Sequence, residues 1–151
     1  MIRIIAVGRK HEAWITDGLE RYQKRLNAPW NVEWVLLPHS AREGLAARQE
    51  ESGAILSRLK DDDFVILLDE RGTQLDSPAL SHQIESVFPT GKTPVLVIGG
   101  AYGVDDSLTS QANVVWSLSP LVFPHQLVRL ILAEQLYRAQ EIAAGHPYHH
   151  K

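Results

Sequence analysis

The chain alternates short apolar runs with longer stretches of helical period. Residues 2–7 are a β-branched run that stops at Gly8, the pattern of a buried strand. Residues 12–27 place Ile15, Leu19, Tyr22 and Leu26 at intervals of four, three and four, which is one face of a helix. Residues 32–37 predict a second strand, closed by Pro38. Residues 43–60 predict a helix with Leu45, Ile55, Leu56 and Leu59 as core candidates. Residues 64–68 are apolar throughout, as in a strand covered on both faces. Ser77-Pro78 has the form of a helix start, with Ser as N-cap and Pro at the first helical position, and that helix runs to about Phe88. Residues 94–98 form a fourth strand ending in Gly99-Gly100, residues 105–112 a short helix, and residues 114–118 a fifth strand. Pro124 opens a long helix with Leu127, Ile131, Glu134 and Arg138 along one stripe, and Gly145 stops it.

This order predicts an α/β fold in one domain over residues 1–151: a mostly parallel sheet flanked by helices. Sheets of that kind bind ligands outside the carboxyl ends of their strands. Three loops fall there, after Leu68, after Ile98 and after Leu118.

Composition narrows the chemistry. A chain of 151 residues with 44% hydrophobic and 22% charged residues is an ordinary globular domain. Without cysteine there is no disulfide, zinc-thiolate or thiol-nucleophile chemistry. The apolar run at the N-terminus is too short for a signal peptide or a membrane span, so a cytoplasmic location without membrane contact is expected. The net charge of −3 is unevenly spread: residues 1–60 hold ten Lys/Arg against seven Asp/Glu, and residues 61–122 hold two against nine. Any contact with RNA therefore falls to the first third and the tail, although on charge alone solvated faces without a polyanion partner are the stronger reading.

Four segments could carry chemistry. In Ile98-Gly99-Gly100-Ala101-Tyr102-Gly103, glycines directly after a strand let backbone approach a ligand. A side chain at Gly99 would occupy ligand space or require a forbidden φ. The spacing is neither the dinucleotide fingerprint nor the phosphate loop, and a plain tight turn has the same appearance. In residues 118–125, prolines 120 and 124 stiffen an apolar loop whose backbone groups could pair with an adenine edge, or which simply packs under the long helix. On that helix Glu134 and Arg138 lie four apart, as in an intrahelical ion pair, yet they interrupt an apolar face and so suggest a cleft or a subunit contact. The tail, Gly145-His146-Pro147-Tyr148-His149-His150-Lys151, has rings and a cation suited to a base and a phosphate. It lacks the carboxylates or thiolates of a metal site, so no metal is expected.

Taken together, IGGAYG, WSLSPLVFPHQLVRLILAEQLYRA and the closing GHPYHHK resemble the RlmH family, with AVGRK and LLDERG fitting the same pattern. These are small SPOUT-class methyltransferases that act on a pseudouridine of large-subunit ribosomal RNA. The likeness spans nearly the whole chain and is most specific over the last 60 residues; the first 60 are not diagnostic alone. Departures are mild: Tyr102 and Val104 flank a glycine where the family varies, and the tail ends in Lys151. The resemblance implies a C-terminal trefoil knot, where the residues alone suggest an ordinary doubly wound sheet. It implies S-adenosylmethionine as methyl donor and a homodimer. Carried over by position, cofactor contacts fall on Leu68, Gly99, Leu118, Ser119, Pro120, Leu121, Val122 and Phe123.

The reaction so implied is methylation of the pseudouridine N3 in 23S ribosomal RNA. That imide nitrogen needs a base or a strong acceptor before it can attack. His149 is the first candidate and Glu134 the rival, with Arg129, Arg138 and Tyr148 as RNA contacts. A monomer of charge −3 is poorly suited to naked RNA, which points to the assembled ribosome as substrate. Two other classes stay open: a non-enzymatic ribosome-associated or nucleotide-sensing module, and a flavodoxin-like flavin or phosphate binder, against which the missing phosphate loop counts.

Overall fold

A computed structural model describes residues 1–150. Five strands, β1 (Ile2–Val7), β2 (Val32–Leu37), β3 (Asp63–Gln74), β4 (Thr93–Ile98) and β5 (Val114–Ser117), alternate with five helices. These are α1 (Ala13–Gln23), α2 (Gly44–Leu56), α3 (Ser77–Glu85), α4 (Asp106–Gln111) and α5 (His125–Ala143). The strands make one sheet in the order β2-β1-β4-β3-β5, and every pairing is parallel.

The period of two along each strand divides the core into two layers. Ile2, Ile4 and Ala6 of β1, Ile66 of β3 and Leu96 and Ile98 of β4 join Leu132, Leu136 and Ala139 of α5 and Leu80 and Ile84 of α3. Ile5, Val7, Val65, Leu67, Val95 and Val97 point the other way, onto Ile55 of α2 and Leu108 of α4. The central strands are therefore apolar on both faces, as their sequence runs predict.

Several boundaries differ from the sequence reading. Helix α1 stops at Gln23, and Leu26 is buried by the turns that follow. Leu45 is exposed rather than in the core, because the buried face of α2 is Ala47, Glu51, Ser52 and Ile55. Helix α3 is capped by Asp76, whose carboxylate accepts the Ala79 N–H at 2.8 Å, so Ser77 is already helical. That helix ends at Glu85, and Phe88 begins a separate 3-10 turn. On α5, the stripe of Leu127, Ile131, Glu134 and Arg138 is only half-buried. The core face is Arg129, Leu132, Ala133, Leu136, Ala139 and Gln140 instead.

Strand β3 runs six residues beyond its expected end at Leu68. Leu68 and Thr73 both stand opposite Trp116, so residues 69–72 bulge out of the ladder. Gly72 makes the return possible, since a Cβ there would lie 2.5 Å from the Val115 carbonyl oxygen. Gly72→Val should therefore lower unfolding free energy by about 2–3 kcal/mol, the cost of forcing bulk against backbone, and a urea titration beside the unsubstituted protein would measure it.

Candidate functional site

At the carboxyl ends of β3, β4 and β5 lies a cavity of about 500 Å³, within the range of small-molecule sites. Its apolar wall is Leu68, Ile98, Val104, Leu118, Phe123 and Val128. The glycine turn Gly99–Gly103 forms a second side, and Asp69, Glu70 and Arg71 of the β3 bulge stand at its mouth. Seven of the eight positions expected to touch a cofactor line this space; Pro120 does not, and acts by stiffening the loop. Leu121 and Val122 are 68% and 78% exposed, an apolar rim left without a neighbour in the single chain.

Each side of the cavity is held from behind. In the turn, Gly100 and Gly103 bridge to each other, with the Gly103 N–H donating to Gly100 O at 3.0 Å. Gly103 has φ +79°, which favours glycine. Gly99 does not need a positive φ; there the obstacle to a side chain is Val104, whose Cγ1 lies 2.7 Å from the place of a Cβ. Ser119 Oγ accepts the Leu121 N–H and Ser117 Oγ donates to the Ser119 carbonyl, each at 3.0 Å, fixing the 118–123 loop. At the mouth, Arg71 donates to both Asp69 oxygens, at 3.1 Å from Nε and 2.9 Å from its terminal nitrogen. Those bonds hold the Asp69 carboxyl below the usual carboxylate range.

Helix α5 closes the site from below. His125, at its first residue, lines the cavity, and burial holds its pKa below the ordinary value of 6.5, partly opposed by a hydrogen bond to the Gly99 backbone. Arg129 is 1% exposed. Its guanidinium donates to the carbonyls of Val7 at 3.1 Å, Gly8 at 3.0 Å and Lys10 at 3.0 Å. That burial leaves it no face for a phosphate in the single chain: it clamps the loop after β1 onto α5. The burial of His11 itself, and after it the charge of Arg129, lowers the pKa of His11.

The tail residues form a second cluster at the other end of α5. Arg138 is its hub. Its Nε donates to Glu134 Oε1 at 2.7 Å and a terminal nitrogen reaches the same oxygen at 2.7 Å. Its other terminal nitrogen lies 3.1 Å from His149 Nδ1, and its guanidinium carbon is 4.8 Å from the centre of the Tyr148 ring. Tyr148 also meets Tyr137 edge to face at 4.8 Å. A guanidinium accepts no hydrogen bonds, so His149 Nδ1 is the acceptor and a neutral ring carries its hydrogen on Nε2. Thus Glu134, Arg138, Tyr148 and His149 come together, and Arg129 stands apart from them. Lys151 lies outside the described residues. Among the described residues no group of three or more His, Asp or Glu is arranged to hold a metal ion, and no helix is long and apolar enough to cross a membrane.

Sequence reasoning missed His125 as a cavity wall, Arg48 at the rim, and the support from α2, where Ser52 Oγ accepts the Asp105 N–H at 3.0 Å. Nothing in the local pattern around 48–52 signals a partner fifty residues away.

Because His11 and His125 are held below their ordinary value by burial, the folded state binds their protons less readily than the unfolded chain. Stability is therefore greatest above pH 6.5 and falls as pH drops below it. Thermal melts between pH 5 and 8 should show this decline (values spanning the ordinary histidine range of about 6.5), and His125→Asn should flatten it.

The comparisons agree with this geometry. The family model described as predicted SPOUT methyltransferase matches residues 1–149. A ribosomal RNA large subunit methyltransferase H from Hahella chejuensis is 40% identical, covering 98% of this chain and 97% of its own length. The proteins of the same description from Acetivibrio thermocellus (39%, 98% of each chain) and Thiobacillus denitrificans (41%, 98% and 97%) are similar over the same span. With a parallel five-stranded sheet, a glycine-walled cavity at its carboxyl edge and a match from end to end, this chain belongs to the SPOUT methyltransferase family.

Proposed function

We propose that this enzyme transfers a methyl group from S-adenosylmethionine to N3 of a pseudouridine in 23S ribosomal RNA, working as a homodimer on the assembled ribosome in the cytoplasm. The observation that carries the reading is the cavity: Leu68, Gly99, Leu118, Ser119, Leu121, Val122 and Phe123 converge on it from three loops. Relatives described as ribosomal RNA large subunit methyltransferases, similar over the whole chain, support the substrate class. The trefoil knot belongs to the same reading and rests on the likeness to the family; the strand order β2-β1-β4-β3-β5 is compatible with it.

The donor set fits the methyl donor. Backbone groups of residues 118–123 suit an adenine edge, the apolar wall suits its ring faces, and the glycine turn leaves room that side chains would fill. S-adenosylmethionine supplies an electrophilic methyl on a sulfonium. The chain's part is to align it and to exclude water, and positioning of that kind lowers a barrier by roughly 7–11 kcal/mol.

The nucleophile's side of the site falls to the tail cluster. From His125 to Arg138 is about 20 Å along the helix at ~1.5 Å per residue, so one chain's tail lies far from its own cavity. A two-fold axis pairing α5 helices antiparallel brings the tail of one protomer to the cavity of the other, and closed two-fold pairs are the commonest oligomers. The half-buried stripe Leu127, Ile131, Glu134 and Arg138 and the exposed Leu121 and Val122 supply the faces such a pair would cover. Within the cluster, Tyr148 stacks on an extruded base and Arg138 neutralises charge. His149 is the catalytic group, and Glu134, its rival in the sequence, acts through Arg138. With Nδ1 engaged by Arg138, His149 offers its Nε2 hydrogen to the imide oxygen beside N3, where negative charge gathers as the proton leaves. Glu134 holds Arg138 in place for that purpose.

Calorimetry with S-adenosylmethionine, ATP and FMN tests the cavity: only the first should bind, and Gly99→Val should abolish it in a folded protein. Binding of FMN instead would restore the flavodoxin-like reading. Deleting residues 146–151 should leave that affinity and the dimer intact while methyl transfer to ribosomes, read by mass spectrometry of the RNA, falls about a hundredfold or more, the low end for losing an acid–base or oxyanion group. Normal methylation by the truncated protein would remove the tail from the mechanism. Sedimentation at micromolar concentration showing a 16.9 kDa species would reject the dimer.

A further inference from the structure

The glycine turn is backed by one face of α2. Arg48, Glu51 and Ser52 lie three and four residues apart and so project together. Arg48 Nε donates to the Tyr102 carbonyl at 2.8 Å, and Ser52 Oγ accepts the Asp105 N–H at 3.0 Å. These are anchors that neutral groups can provide. Glu51 is different. It is 5% exposed, and its carboxylate stands where a Cβ on Gly100 would be. One oxygen, Oε2, accepts the Ser40 N–H at 2.9 Å. The other, Oε1, is buried with no hydrogen-bond partner among the described residues.

Anchoring Ser40 does not require a charge, since an amide oxygen would accept that bond as well. Burying a carboxylate without a cation is costly. Its nearest ionisable neighbour is His39, with Nδ1 4.0 Å from Oε2. Arg129 is the other buried charge in the region, but its two terminal nitrogens are engaged by the Val7, Gly8 and Lys10 carbonyls, its Nε meets no acceptor among the described residues, and His39 lies between the two, its Nε2 turned to Gly8. Among the described residues the carboxylate's one ion-pair partner within 4 Å is His39, a cation only when protonated, while side-chain-free backbone at Gly100 stands between it and the cavity.

We propose that Glu51 is a specificity-determining residue of the cavity: a fixed negative charge behind the glycine wall that favours the cationic sulfonium donor over the neutral thioether left after transfer. This rests on the methyl-donor reading of the cavity. In the transfer the N3–carbon bond forms as the carbon–sulfur bond breaks, the bond electrons go to sulfur, and the N3 proton leaves to solvent. The positive charge beside the glycine wall disappears with the methyl group. A carboxylate there holds the donor and loosens its grip on the spent product, so that one can replace the other.

Calorimetry on the full-length protein separates this role from a structural one. Glu51→Gln keeps the acceptor for Ser40 and removes the charge. It should reduce the preference for S-adenosylmethionine over S-adenosylhomocysteine by roughly threefold to tenfold, the scale of one charge acting across a partly solvated cavity, with the homocysteine affinity little changed. Ser52→Ala, which loosens the turn without altering charge, should weaken both ligands by a common factor. The proposal is overturned if Glu51→Gln also weakens both equally, or changes neither. Should the amide variant fold poorly, the unsubstituted protein gives a second reading: sinefungin, with a protonated amine in place of the sulfonium, should bind more tightly than S-adenosylhomocysteine, and equal affinities would sink the idea. Absence of binding by all three would remove the methyl-donor reading itself, and the role of Glu51 with it.

Discussion

A single buried guanidinium joins the two ends of this chain. Arg129, on the second turn of α5, reaches across to three carbonyls in the ten residues at the start. Two of those carbonyls, of Val7 and Gly8, belong to buried residues where the chain leaves the sheet at the end of β1, and the third, of Lys10, is shared with Gln126. Gly8, at φ +119°, lets the chain turn close enough to be caught, because a Cβ there would lie 2.8 Å from the guanidinium. The same contact fixes the height of α5 against the sheet. With that height set, His125 falls beside Gly99 and the 118–123 loop closes over the carboxyl ends of β3 and β4. Hydrogen bonds to a charged donor are worth about 1.5–3 kcal/mol each, and here three of them converge on one side chain whose desolvation works against them.

The sheet was legible in the sequence because its physical signal is local. Residues 32–37 coincide with β2, and the ends of β1 and β4 match to within a residue. Runs such as Val65-Ile66-Leu67 announce burial on both faces without reference to anything distant. Helices were less legible where their buried face is polar. In α2 the enclosed positions include Glu51 and Ser52, which a search for apolar periodicity passes over, while Leu45 in the same helix is exposed. Arg129 was visible as a charge on an apolar face, and its local pattern supported a phosphate contact. Its carbonyl partners lie some 120 residues away, so only the fold reveals that its terminal nitrogens are already engaged.

The cavity follows the same rule. The loops after Leu68, Ile98 and Leu118 were identified by their place at strand ends, a topological argument that needs only the order of elements; the individual cofactor positions on them were implied by the resemblance. Arg48, Glu51 and His125 enter through contacts between elements, and no spacing announces them. The knot is of a third kind, being a matter of threading rather than of local pattern or contact, so the residues alone suggest a doubly wound sheet and only the likeness to a family suggests otherwise.

The two clusters on α5 pose a constraint that bears on assembly. Positions near the first turn of the helix serve the cavity, and positions from Glu134 onward gather the tail through Arg138. A rigid helix cannot bring its own ends together. If both clusters act on one substrate, the helix must meet a second copy running the other way, and each site then takes its walls from one chain and its tail from the other. Such sharing makes the reaction conditional on assembly: a lone chain has a place for a donor but nothing to present a base to it. It also explains why the stripe between the clusters mixes Leu127 and Ile131 with Glu134 and Arg138. The apolar pair, in the first half of the helix, suits burial against the second copy, while the ion pair, from the midpoint onward, belongs with the tail that faces the substrate.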